Sequence, residues 1–268
     1  LPSIPLHIIQ DGLAYIWKMA GRSLLYPCDQ GARQVTTGLV RQIMDGVFVK
    51  LDNWTGVSKP ERQTLEGAYA RLEPLSAERH AKALFEAAAA PGAEDRFRYL
   101  FDSAPADFND LRAWAEKVEA STDPLFFAVI DKATGRAEGR QALMRIDTVH
   151  GVIEVGNIMW GPAITRTRIA TEALFLFADH VFGLGYRRFE WKFDNANLPS
   201  RRAAERFGFR FEGVFRQHMV VKRRNRDTAW YSITDSDWLR LRGGYEHWLQ
   251  AENFDSAGQQ HSKLVLDK

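Results

Sequence analysis

The tightest constraint on this chain lies between Leu125 and Met159, where three strand-like runs follow one another with little chain between them. Leu125–Ile130, Ala137–Ile146 and Val152–Met159 are separated by connections holding Lys132-Ala133-Thr134-Gly135 and His150-Gly151. A parallel neighbour needs a crossover of about a dozen residues or more, so these short links predict an antiparallel meander. Before it, Leu65–Leu75 reads as a strand stopped by Pro74, and Ser76 stands where it would cap a helix running to about Ala90. Asp107 to about Ala120 carries Leu111, Trp114, Ala115 and Val118 at helical spacing. After the meander, the pattern predicts a helix over Thr165–Phe182, a strand over Arg188–Phe193 and a helix over Pro199–Arg206. Strands over Phe209–Lys222 and Ala229–Thr234 follow, then a helix from Ser236 to about Gln250. This order specifies an α/β (α+β) class with a mixed, mostly antiparallel sheet of about seven strands flanked by helices, not a doubly wound one.

The 268 residues suit one large domain with an appendage. Residues 1–50 show no usable periodicity and read as an N-terminal extension of unknown role. Asn53-Trp54-Thr55-Gly56 and Lys59-Pro60 read as an arm leading into a domain over residues 51–250, and residues 251–268 read as a polar tail. With 36 basic and 34 acidic residues the net charge is +2, which excludes a general attraction to nucleic acid or an anionic membrane. Any anion site therefore has to be local. The basic run Lys222-Arg223-Arg224-Asn225-Arg226-Asp227 reads as a hairpin turn around Asn225 rather than an RNA contact. Leu13–Tyr26, the most apolar early stretch, contains Lys18 and Arg22 and is shorter than the roughly 20 residues that span a bilayer. No membrane or secretory segment is expected there. The lone Cys28 forms no internal bridge or zinc cluster and is expected to be inert, as suits a cytoplasmic protein.

Two segments carry chemistry. The strand ending at Met159 runs through Trp160-Gly161-Pro162 into a helix whose expected first turn holds Thr165, Arg166, Thr167 and Arg168. Free amides and the positive end of a helix favour a bound anion; from this turn alone, a phosphate cradle and a pair of solvated arginines are equally good readings. Farther on, the run from Asn195 through Asn197, Pro199 and Ser200 to Gly208-Phe209 and Gly213 combines a loop, a capped helix and a Gly-Phe exit.

Taken with Leu65–Leu75, Ile153-Glu154-Val155-Gly156 and Ala170-Thr171-Glu172-Ala173, this block resembles the GCN5-related N-acetyltransferases, and in particular the ribosomal-protein N-terminal acetyltransferases of the RimJ/RimL type. The resemblance covers roughly Leu65 to Thr234. It implies a sheet whose strands Val152–Met159 and Arg188–Phe193 splay apart to admit the pantetheine arm of acetyl-CoA. Backbone groups of Ile158, Met159 and Trp160 would pair with that arm, and Asn197 would face it. Amides of Arg166, Thr167, Arg168, Ile169 and Ala170 would hold the diphosphate, although Arg168 stands where the family's loop has glycine. The superfamily's usual acid, a tyrosine, is replaced by Ala204, so the resemblance to the RimL-like branch assigns the acid role to Ser200. The place of that branch's glutamate base falls at Met219, which leaves Glu154 acting through a water, or His218, as candidate bases.

The implied reaction is direct attack of a neutral primary amine on the thioester in a ternary complex, which requires no metal. A peptide α-amine, with a pKa of about 7.7–8.0, needs only a weak base, whereas lysine at about 10.4 needs more. A protein or peptide N-terminus is therefore the first expectation for the acceptor; a small amine such as an aminoacyl compound or polyamine, or a non-catalytic acyl-CoA sensor, are the alternatives. The partners expected are acetyl-CoA and that amine, without nucleic acid or membrane, on a monomer or homodimer.

Overall fold

The computed structural model describes residues 51–266 and, before them, the backbone of two strands, β1 (Ala14–Met19) and β2 (Arg22–Pro27). The chain divides into two compact units, Leu1–Trp54 and Thr55–Lys268. In the first, β1 and β2 pair antiparallel from Ala14↔Pro27 to Met19↔Arg22. The sequence predicts no regular element there, because ladder pairing is a backbone property and does not require side-chain alternation. Cys28 lies outside the described residues.

In the second unit the meander forms as its short links require: β5 (Leu125–Asp131), β6 (Arg136–Asp147) and β7 (Val152–Trp160) pair antiparallel in chain order. β7 is followed by helix α4 (Arg168–Gly183), long enough to serve as a crossover, and β8 (Arg188–Asp194) accordingly lies parallel to β7. β9 (Arg210–Val221) and β10 (Arg224–Thr234) form a long hairpin whose β10 strand inserts beside β8. The turn of this hairpin is Lys222-Arg223, both with positive φ (51° and 62°), while Asn225 is paired within β10. That corrects the expectation of a turn around Asn225.

The sheet has eight strands rather than about seven, in the order β3-β4-β5-β6-β7-β8-β10-β9. The extra strand arises because the opening run is broken into β3 (Leu65–Glu66) and β4 (Ala70–Pro74), which pair with each other. The break has a cause 102 to 104 residues away in sequence: Glu172 of α4 accepts hydrogen bonds from the amides of Ala68, Tyr69 and Ala70. A Cβ on Gly67 would stand 2.4 Å from the Glu172 carboxyl carbon, so glycine makes the approach possible.

Helices cover both faces. α1 (Ala77–Ala89) is capped by Ser76, and α3 (Phe108–Glu119) by Asp107, each side chain accepting from the amide three residues on. Between them lies a short helix, α2 (Ala93–Phe97), that the sequence pattern does not reveal. β5 shows how the core divides: Leu125, Phe127 and Val129 join the layer under α4, while Phe126, Ala128 and Ile130 join the layer under α1 and α3. A strand buried on both faces loses the alternation of a half-exposed one. α5 (Leu198–Arg206) follows β8, and α6 (Asp235–Trp248) closes the domain behind a Thr234/Asp237 capping box.

The polar tail folds back onto the domain. Beyond a 3₁₀ turn over Ala251–Asn253, Phe254 bridges to Gln260, and the Trp248 indole donates to Gln260 Oε1 and the Ser262 carbonyl. Among the described residues no helix is long and apolar enough to cross a membrane.

Candidate active site

The site begins where a ladder stops. β7 and β8 pair from Val152↔Arg188 to Val155↔Trp191, and then Gly156–Trp160 runs on without a partner on that edge. The cause is a bulge in β7: between the pairs Ala142↔Gly156 and Arg140↔Met159 it holds Asn157 and Ile158 against the single residue Gln141. Asn157 takes φ +51° there, and a bulge of this kind bends its strand away from its neighbour. β8 instead follows β10, pairing as far as Asp194↔Thr228. Gln141 braces the opening, because it receives the Trp160 indole N–H at 3.2 Å and donates to the Ala173 carbonyl of α4 at 2.8 Å. Between the parted strands lies a cleft of about 1220 Å³, with Ile158, Met159 and Trp160 on one wall and Trp191, Lys192 and Phe193 on the other.

The start of α4 closes one end. The helix begins at Arg168, three residues later than expected, because Thr165 and Thr167 bond back to the loop instead: Thr165 Oγ1 donates to the Gly161 carbonyl and the Thr167 amide to the Ile164 carbonyl. Thr167 is the cap, its hydroxyl accepting from the Ile169 amide at 3.2 Å. Of the expected phosphate-binding amides, those of Thr167 and Ile169 are thus engaged, while those of Arg166, Arg168 and Ala170 find no acceptor among the described residues. Arg166 sits at φ +65° with its side chain exposed.

Arg168, the departure from glycine, does not obstruct the helix end. Its guanidinium lies 4.1 Å over the Tyr69 ring and 5.1 Å over that of Phe254, with the backbone of Gly258 beside it. Two aromatic faces thus hold the arginine at the cleft wall, an arrangement that attracts a cation electrostatically. Arg206 is held in a similar manner, 5.2 Å over Trp248, and donates to Thr171 Oγ1. Tyr69, Arg206, Trp248 and Phe254 all line this end; sequence reasoning missed Tyr69, Trp248 and Phe254 because they lie outside both motifs, and passed over Arg206, inside the second, because only folding sets it beside Trp248.

Midway along the cleft, Asn197 caps α5 by accepting from the Ser200 amide at 3.1 Å, so the two residues are positioned as one unit. Ser200 lines the cleft, and its hydroxyl makes no hydrogen bond among the described residues. Ala204, one turn on, is fully buried in the core.

At the other end stands Glu154, 2% exposed, bound by Arg145 Nη1 at 2.7 Å and Lys192 Nζ at 3.1 Å. Burial raises its pKa above the ordinary carboxylate value, and Lys192 and Arg145 oppose that rise. A second bulge, with Arg145 at φ +49°, brings the Arg145 side chain to it. Lys192 is shared with Glu190 and lies 4.0 Å over the Trp230 ring. His218 is not brought to the cleft wall: it lies exposed on β9, 2.9 Å from Thr228 Oγ1. Glu154 and Ser200 therefore share the cleft, and His218 does not.

Comparison with known proteins agrees with this architecture. A family model described as an acetyltransferase (GNAT) domain matches residues 70–210. The crystal structure of a GCN5-related N-acetyltransferase from Brucella melitensis is 60% identical with a TM-score of 0.78, over 80% of this chain and 97% of that one. A probable acetyltransferase of the GNAT family from Chromobacterium violaceum is 39% identical with a TM-score of 0.67, over 71% of this chain and 96% of that one. The RimL ribosomal L7/L12 α-N-protein acetyltransferase is 16% identical with a TM-score of 0.55, over 67% of this chain and 99% of that one, a likeness of fold alone. None of the curated proteins matches. Members of the GNAT family transfer acetyl from acetyl-CoA, and the parted strands, the open helix end and these relatives converge on one conclusion: the chain belongs to the GNAT acetyltransferases and is an acyltransferase.

Proposed function

We propose that this enzyme acetylates the α-amine of a protein or peptide N-terminus, as the RimJ/RimL-like branch does, with Ser200 as the acid and Glu154 as the base. The observation that carries the reading is that one cleft holds, in order, the free amides of Arg166, Arg168 and Ala170, the Asn197/Ser200 unit and the buried Glu154. The amides and the two ring-held arginines suit a diphosphate, and the unpaired edge of Gly156–Trp160 suits an amide-bearing arm.

The amine nitrogen attacks the thioester carbonyl carbon, the carbon–sulfur bond breaks, and an amide and a thiol result. The sulfur takes its proton from the Ser200 hydroxyl, which regains one from water as Glu154 returns the amine's proton to solvent. With a thiol pKa of about 8.5 the leaving group needs only modest assistance. The amine gives its proton through water to Glu154, whose pKa is raised in the direction a base at neutral pH requires. Backbone donors near Met159 face the cleft where negative charge grows on the carbonyl oxygen. A small-molecule amine, such as an aminoacyl compound or a polyamine, is the alternative acceptor.

The test is thiol release from acetyl-CoA with a panel of N-terminal peptides and small amines. Peptides are expected to turn over fastest, and a panel in which only small amines react refutes the protein-acceptor reading. Ser200→Ala is expected to lower kcat by about 10²-fold or more with little change in acetyl-CoA affinity. An unchanged kcat removes Ser200 from the acid role.

A further inference from the structure

Among the described residues, the acceptor end of the cleft contains a cation with no counter-ion. Arg226, on β10, is 7% exposed and lines the cleft. Its Nε donates to Thr228 Oγ1 at 3.2 Å, and its guanidinium carbon stands 5.1 Å from the centre of the Phe101 ring. Among the described residues, nothing accepts a hydrogen bond from Nη1 or Nη2, and no carboxylate lies within ion-pairing distance.

Its charged neighbours are already committed. Lys192 is bound to Glu154 and Glu190, Arg145 to Glu154, and Arg140 to Asp102. Arg96 donates to the carbonyls of Ala88, Ala90 and Pro91 at the end of α1. Asp194, the acid next to Arg226 across the sheet, accepts instead from the Ala196 amide. Burial without a partner disfavours the charged form of Arg226, and Asp194 and Glu154 offset this only from a distance. An unpaired buried charge is costly to a folded protein. The cost is removed when an anion arrives.

We infer that Arg226, backed by Phe101, is the receptor for a carboxylate carried by the acceptor, so that the enzyme selects primary amines bearing a carboxylate. The fork of Nη1 and Nη2 matches the two oxygens of a carboxylate, as an ammonium would not. Thr228 fixes the direction of the fork from behind, since its hydroxyl accepts from Arg226 Nε and is itself tied to His218. The same chemistry is offered by a free amino acid or by a peptide whose second residue is acidic. This inference rests on the transferase reading and narrows its acceptor.

The experiment compares matched acceptors in the thiol-release assay. Glycine, β-alanine and γ-aminobutyrate are each set against the corresponding carboxamide, and Ser-Asp and Ser-Glu peptides against Ser-Asn and Ser-Gln. In at least one pair the wild-type enzyme is expected to favour the carboxylate in kcat/KM by about tenfold or more, the range of one charged hydrogen-bonded contact. The pair that shows the preference identifies the source. In Arg226→Met the ratio should collapse towards about one, and in Arg226→Lys it should fall only partly, because the charge remains but the fork does not. Acetyl-CoA affinity and the melting temperature of each variant serve as controls for folding.

Carboxamides that react as well as carboxylates in every pair overturn the inference on wild-type enzyme alone, as does a preference that survives Arg226→Met. If no amine releases thiol, the transferase reading fails separately. Calorimetric titration of the CoA-bound protein with γ-aminobutyrate and a Ser-Asp peptide then decides the subsite: binding lost in Arg226→Met supports it, and no binding to wild type sinks it.

Discussion

Glu172→Gln isolates the interaction that shapes one wall of the cleft. Glu172 is 3% exposed and receives Ala68 N–H on Oε1 at 2.8 Å, and Tyr69 and Ala70 N–H on Oε2 at 2.6 and 2.5 Å. Glutamine has the same shape but only one accepting oxygen. Seated to keep Tyr69 and Ala70, it turns its amide NH₂ against the Ala68 N–H, donor against donor. Hydrogen bonds to a charged acceptor contribute about 1.5–3 kcal/mol and neutral ones about 0.5–1.5, while an orphaned buried donor costs about 1–3. Two weakened bonds, at about 1–1.5 kcal/mol each, and one orphan therefore sum to about 3–6 kcal/mol. Shared geometry makes such sums non-additive, so the lower figure, about 3 kcal/mol, is the expectation. At about 2–4 °C per kcal/mol for a domain of this size, the melting temperature should fall by about 6–12 °C. Thermal and urea unfolding measure the loss, and hydrogen exchange at residues 68–70 should accelerate with it. A shift under about 2 °C refutes the claim that this carboxylate holds the turn, because the isosteric change alters little else.

Glu154→Gln tests the base through pH. The folded-state pKa of Glu154 is raised from the ordinary 4.5, chiefly by burial, so the acid limb of kcat/KM should lie above that value and vanish with the lower rate of the variant. The sign for stability runs the other way: across the window above 4.5 the folded protein holds this proton more firmly than the unfolded chain does, so wild-type stability should decline relative to Glu154→Gln as pH rises through it. An acid limb that persists in the variant excludes Glu154 as the base. Phe254→Ala removes the ring contacts to Tyr69 and Trp248 and one of the two faces under Arg168. It should loosen the tail by about 1.5–4 kcal/mol, seen as faster exchange over residues 251–266, and weaken acetyl-CoA binding several-fold; unaltered exchange there refutes the docking role of this ring.

Much of the candidate site was legible because the signals are local. The bulge was not, because nothing in Gly156-Asn157-Ile158 differs from an ordinary strand until Gln141 is opposite it. His218 and Glu154 looked equivalent in sequence, and only the sheet order separates them: Glu154 sits on β7 where it pairs with β8 beside the cleft, while His218 falls on the outer strand β9. The tail looked merely polar because a single buried Phe254 and a hydrogen-bonded Trp248 carry no periodicity.

By itself the sequence determined the meander, the caps at Ser76 and Asn197, the helix between β7 and β8, and the family. These follow from connection length, capping chemistry and periodicity, which act over a few residues. Only the tertiary structure decided where the opening strand breaks, where β7 leaves β8, that Arg168 rests between two rings, and that Arg226 keeps a free fork at the acceptor end. Each of these depends on partners brought together from distant parts of the chain, and whether a charge is neutralised is settled by what folding places within a few ångströms of it.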